Sequence, residues 1–179
     1  MKFLHLSLLL LLPLTLSAGP AATDTANKST PVSIEADRME LDQAHGTSTY
    51  QGNVILIQGG LRLKAERITL YTVEKQLNRV VSEGKPTTME QPKDDNRAPL
   101  HAEAEWIEYL PLQQTVQLKG KAQLRQNGNE FSGEHIRYDL KKQLVRASGN
   151  KQGDGRVRVL LQPANDEQKN DDHKMENKP

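Results

Sequence analysis

Apolar residues recur at every second position through most of this chain, the spacing of strands with one face buried. Val32, Ile34 and Ala36 alternate, then Met39 and Leu41 resume one residue out of phase near Arg38, as a β-bulge produces. After a turn at Gln43–Thr47, Ser48–Tyr50 leads to Gly52, which opens the apolar run Val54–Ile57. Gly59-Gly60 is a two-residue hairpin turn, and Leu61, Leu63 and Ala65 then alternate with Arg62, Lys64 and Glu66. Ile68 and Leu70 carry the alternation to a turn at Glu74–Asn78; short strands follow at Val80-Val81 and Thr87–Gln91, separated by a turn at Gly84–Pro86. Past a loop at Pro92–Pro99, the same signals return. Val116, Leu118, Ala122 and Leu124 precede an Asn127-Gly128 turn, and Phe131, Ile136, Tyr138 and Leu140 follow it. Leu144–Ala147, a glycine-rich turn at Asn150–Gly155 and a last strand at Arg156–Gln162 complete the pattern.

The second half repeats the first. Adding 68 to each number carries Glu35-Ala36 to Glu103-Ala104, Glu40 to Glu108, Thr47 to Thr115, Gly52 to Gly120, Gln58 to Gln126, Gly60 to Gly128, Glu66 to Glu134 and Ile68 to Ile136. One deletion later, Lys75-Gln76-Leu77 meets Lys142-Gln143-Leu144. This duplication decides one ambiguous stretch. His101–Leu110 is rich in helix formers, but its counterpart alternates, so it is assigned to a strand. Short strands at roughly ten-residue spacing, without a convincing helix, predict an all-β antiparallel meander or jelly roll made of two similar units.

Composition adds boundaries. Lys2 precedes the apolar run Phe3–Leu16, and small residues follow, the form of a secretory signal peptide occupying residues 1–22. The run is short for a membrane span and contains Pro13. Residues 23–30 read as a flexible segment, 31–162 as the β-domain, and 163–179 as a disordered tail with almost no aliphatic residue. Lys2 is the only charged residue before Asp24; the 24 basic residues less Lys2 leave 23, against 23 acidic ones. A neutral mature chain has no electrostatic hold on nucleic acid or a membrane surface. With no cysteine there is neither a disulfide nor a lipid-anchored N-terminus, so an aliphatic core carries the stability.

Enzyme signatures are missing from the sequence. The five histidines are scattered, and no nucleophile elbow or phosphate-binding glycine loop occurs, so no catalytic residue, metal or cofactor is expected. Glu103 and Glu105 have the residue types of a sugar-cleaving carboxylate pair, but at i, i+2 on a strand they share one face and read first as its wet side. Arg62, Lys64, Arg156 and Arg158 read either as a solvated strand face or as phosphate contacts at the mouth of an apolar groove. Val32, Ile34, Val54, Leu56, Leu63, Met89, Ile107, Tyr109, Leu118, Phe131 and Tyr138 are core candidates that would also serve to line such a groove. The two-sided run Val54–Ile57 raises the question of which face is core.

The signal peptide, the segments PVSIEADRMELD and YQGNVILIQGG, the GKPTTM turn and the second unit's LKGKA resemble the OstA-like family of periplasmic lipopolysaccharide-transport proteins. The resemblance spans residues 31–162. It implies a slightly open β-jelly roll of sixteen or so strands whose apolar groove binds the acyl chains of lipid A. It further implies a periplasmic location and head-to-tail self-association, with partners in an inner-membrane bridge component and an outer-membrane translocon. Lipid contacts carry over to Val32, Met89 and Tyr109, and a further one falls at Pro111. Two other readings follow from the same features: an inner-membrane-anchored bridge component of the same fold, and a periplasmic enzyme acting on polysaccharide.

Overall fold

The computed structural model describes residues 30–93, 98–150 and 155–163. The segments assigned above to a signal peptide, a flexible N-terminal stretch before residue 30 and a tail beyond residue 163 lie outside these residues. Ten antiparallel strands form one sheet: β1 (Val32–Glu35), β2 (Arg38–Asp42), β3 (Thr47–Gln58), β4 (Leu61–Val73), β5 (Gln76–Gln91), β6 (Leu100–Leu110), β7 (Thr115–Gln126), β8 (Asn129–Asp139), β9 (Leu144–Ser148) and β10 (Arg158–Leu160). Between β6 and β7 stands a single 3₁₀ turn, Pro111–Gln113; among the described residues there is no α-helix. Neighbours run in the order β1-β3-β4-β5-β6-β7-β8-β10, with β2 also on β3 and β9 also on β8. His101–Leu110 is a strand, as the duplication required.

The sheet is folded along a crease. Register shifts fall at Gln51/Val54, Lys64/Arg67, Glu83/Thr87, Glu103/Trp106 and Lys119/Ala122, so one line of bulges crosses β3 to β8 at mid-length. On the same line β1 gives way to β2, and β9 gives way to β10. Bulges bend strands and sharpen twist, so a row of them turns one sheet into two layers. Six creased strands give twelve halves, and β1, β2, β9 and β10 bring the number to sixteen. The strand number implied by the family resemblance is reached by folding ten strands, not by adding more.

Several local readings change. Gly52 does not open a strand; it sits inside β3, on the crease. Gly84–Pro86 is not a turn between two strands but the crease within the sixteen-residue β5, where Glu83 pairs with Trp106 and Thr87 with Ala104. The last strand is also shorter than the alternation suggested, Arg158–Leu160 rather than Arg156–Gln162.

The duplication persists in the hydrogen bonds. Thr72 N–H donates to the Gly46 carbonyl at 2.8 Å, and Leu140 N–H donates to the Gln114 carbonyl at 2.9 Å, each atom displaced by 68 residues. The Thr47 and Thr115 hydroxyls likewise donate to the carbonyls of His45 and Gln113. β7 is β3 shifted by 68 at both ends. By the same displacement, β6 corresponds to β1 and β2 joined; β5 corresponds by its pairing partners, with shifted numbering, to β9 and β10 joined. Only in the middle of the molecule do both strand types meet, as the β5–β6 pair.

Candidate functional site

The two layers enclose one apolar interior. Leu56, Leu63, Met89, Ala102 and Leu124 come from the layer that contains β1 and β10. Ile68, Val80, Ile107, Leu118 and Ile136 come from the layer that contains β2 and β9, and all ten belong to one buried cluster. The period-two pattern dictates this arrangement, because each half-strand turns its apolar side inward. Val54 and Leu56 are buried, whereas Ile55 and Ile57 lie half-buried on the outer face between Ser33 and Glu35 on one side and Arg62 and Lys64 on the other. Only one side of that two-sided run is core.

Of the eleven apolar positions proposed from sequence, Val54, Leu56, Leu63, Met89, Ile107, Leu118 and Tyr138 are fully buried. Val32, Ile34, Tyr109 and Phe131 are half-buried and pack on the cluster from its rim. Pro111 opens the 3₁₀ turn at the far edge of one layer. Arg62 and Lys64 alternate with Leu61 and Leu63 and therefore occupy the outer face, away from the interior. Arg156 and Arg158 are exposed, the latter on β10.

Opposite the crease the layers part. Gln126 donates through Nε2 to the Tyr138 hydroxyl at 2.6 Å, joining one layer's edge to the other's. Beside this bond lies a cavity of about 250 Å³, lined by Gln91, Leu100, Tyr109, Gln114, Leu140 and Lys141 among others. Apolar interior and polar mouth together make an amphiphilic cleft.

The crease carries a feature that the alternation did not disclose. Asn53 donates through Nδ2 to Asp37 Oδ2 at 3.0 Å, and Lys121 Nζ lies 2.8 Å from Glu105 Oε1. Asp37 and Glu105 are 68 residues apart, as are Asn53 and Lys121. Between them Gly52 (φ 82°) and Gly120 (φ 76°) take left-handed backbone against the carboxylate, where a Cβ would overlap the Asp37 or Glu105 side chain. Extending the 68-residue offset to the acidic positions would have revealed this device in the sequence. Lys121 holds the Glu105 carboxyl below its ordinary range, and the Glu103 carboxylate is engaged by His101 Nε2 at 2.7 Å. The two carboxylates thus face different partners. Among the described residues no group of His, Asp and Glu is placed to hold a metal, and no helix is long and apolar enough to cross a membrane.

Proteins of known role resemble this chain. The protein is 32% identical over 170 residues to the lipopolysaccharide export system protein LptH of Pseudomonas aeruginosa, covering 91% of this chain and 97% of that one. It is 31% identical over 176 residues to the lipopolysaccharide export system protein LptA of Escherichia coli K12, covering 95% and 94%. The crystal structure of Pseudomonas aeruginosa LptH, described as the LptA homologous periplasmic component of a conserved lipopolysaccharide transport device, superposes with a TM-score of 0.68. That superposition covers 75% of this chain and 96% of the crystallised one, at 32% identity. A family model described as LptA/(LptD N-terminal domain) LPS transport protein matches residues 33–144. The chain belongs to the LptA/LptD N-terminal domain family of lipopolysaccharide transport proteins.

Proposed function

We propose that the protein is a non-enzymatic periplasmic carrier of lipopolysaccharide, and that copies join head to tail as a bridge between the inner and outer membranes. The observation that carries this reading is the folded sheet itself: an apolar interior open along one side, with hydrogen-bonding groups at the opening. Each methylene exposed to water costs about 0.8 kcal/mol, so a dozen exposed methylenes cost roughly 10 kcal/mol. An apolar trough lowers that barrier by burial alone and needs no reacting group. On this reading Val32, Ile34, Tyr109 and Phe131 meet acyl chains first, because they lie at the rim. The deeper residues Val54, Leu56, Leu63, Met89, Ile107, Leu118 and Tyr138 meet them only when the layers move further apart. Arg62, Lys64, Arg156 and Arg158 would meet phosphates only outside the trough.

Self-association draws support from the sheet edges. Met39 and Leu41 on β2, and Val159 and Leu160 on β10, are all more than half exposed, on strands that each pair with one other strand among the described residues. Such edges accept another strand. The two ends differ, so the contact is heterologous and grows open chains. The further partners on this reading are an inner-membrane bridge component and an outer-membrane translocon.

A photocrosslinking side chain in place of Tyr109, which faces inward between Val80 and Val116, is expected to form lipopolysaccharide adducts in cells. The same group in place of Lys64 on the outer face should form none. Equal labelling at both positions, or none at either, would sink the carrier reading.

A further inference from the structure

The β5–β6 pair inside the chain joins the end of one repeat to the start of the next, so it already displays how two units dock. The free edges of the molecule are the remaining copies of those two strands. Matching partners fixes the correspondence. Ile68 pairs with Ser82 and Ile136 with Ala147; Leu70 pairs with Val80 and Tyr138 with Val145; Leu63 pairs with Met89 and Phe131 with Val159. Each first partner differs from its counterpart by 68 residues. β9 and β10 therefore stand where β5 stands, and β1 and β2 stand where β6 stands.

We infer that copies of this chain join in the register of the internal β5–β6 junction, with Arg146 opposite Glu40 and Arg158 opposite Glu35 of the next copy. The derivation is direct. Val81 pairs with Glu108 and Thr88 with Glu103 in the internal junction. Arg146 and Arg158 occupy the places of Val81 and Thr88, and Glu40 and Glu35 occupy those of Glu108 and Glu103. On the inner face the same register sets Val145 against Leu41, Ala147 against Met39 and Val159 against Ile34. Every inward pair is apolar, and both of these outward pairs join opposite charges.

Two observations make this register more than an extrapolation. Arg146 sits directly opposite Arg137 within the molecule, a like-charge pair on the outer face that a carboxylate arriving at the free edge would relieve. The exposed inner-face residues Met39, Leu41 and Val159 are covered in this register and no longer meet water. A slip by one residue would send all of them outward. The inference rests on the head-to-tail reading above and adds the register to it.

The absence of cysteine makes the test clean. Directly opposed residues in antiparallel strands have Cα atoms roughly 4.5–5.5 Å apart, within disulfide range. Mild oxidation of purified Glu40→Cys/Arg146→Cys, and separately of Glu35→Cys/Arg158→Cys, should give a ladder of covalent oligomers. Glu40→Cys with Leu144→Cys or with Ser148→Cys tests slips of two residues and should not. Arg146→Glu alone should weaken association roughly five- to tenfold in sedimentation velocity, and adding Glu40→Arg should restore it. A ladder that favours either slipped pair overturns the register while leaving self-association intact. So does an unmodified protein that sediments as oligomers while none of the pairs forms a ladder. An unmodified protein that stays monomeric at every concentration overturns the head-to-tail reading, and the register with it.

Discussion

Truncating Leu118 to alanine should lower the stability of the protein by about 2–5 kcal/mol, with a fall in Tm on the order of 10 °C. Leu118 is fully buried between Ile107 and Ile136, its cross-strand neighbours on the inner face, at the centre of the cluster shared by both layers. Removing its branched end leaves a void that the surrounding strands fill poorly, because their positions are fixed by ladders on both sides. The measurement separates two descriptions of the interior. If the interior is packed as described, Leu118 is core, and the loss appears in denaturant unfolding of the lipid-free protein. If the trough stands open in solution, Leu118 already meets water and the alanine variant unfolds with a change below about 1 kcal/mol. Tyr109→Ala is the counterpart at the rim. Its half-buried side chain contributes less to stability, so its larger effect should fall on lipid adducts formed by a photocrosslinker at Val32 or Phe131, which also pack on the cluster from its rim.

That contrast also marks how far the sequence could be read. Period-two alternation located nearly every strand, and the 68-residue repeat rescued His101–Leu110 from its helical composition. A slip in the alternation marks the crease near Arg38, but elsewhere alternation specifies which side chains share a face, not where a strand bends. Gly52 reads as a strand opener and Gly84–Pro86 as a turn because glycine and proline signal a break without distinguishing a bulge from a reversal. Burial was legible only as a class. Leu63 and Tyr109 both point inward, yet one is sealed and the other half-exposed, because depth depends on the distance from the crease to the mouth. Arg62 and Lys64 show the same limit from outside. Their charge suits phosphate, but their alternation with Leu61 and Leu63 turns them away from the cavity.

Replacing Arg79 with methionine should destabilise the protein by about 2–4 kcal/mol, because it strands a carboxylate at the junction of the two repeats. Glu108 lies on β6 with its side chain 11% exposed, ion-paired to Arg79 Nε and accepting a hydrogen bond from Gln117 Nε2 at 2.8 Å. Arg79 in turn stacks over the Tyr71 ring, 4.8 Å from its centre, so its stem and charge are both held. Without the guanidinium, Glu108 keeps one neutral donor while Val81 still shields it from water. Glu108→Gln is expected to be milder, since it leaves Arg79, 37% exposed, able to reach solvent. Combining Arg79→Met with Glu108→Leu should recover most of the loss, because an apolar pair replaces a desolvated ionic one. A cycle in which the double variant is no better than Arg79→Met alone would show that the cost lies in lost packing against Tyr71 rather than in the stranded charge. Glu108 is the repeat counterpart of Glu40, so the cycle bears on more than stability. It measures inside one chain, where folding replaces association, what an arginine two positions from the place of Arg146 contributes to the counterpart glutamate.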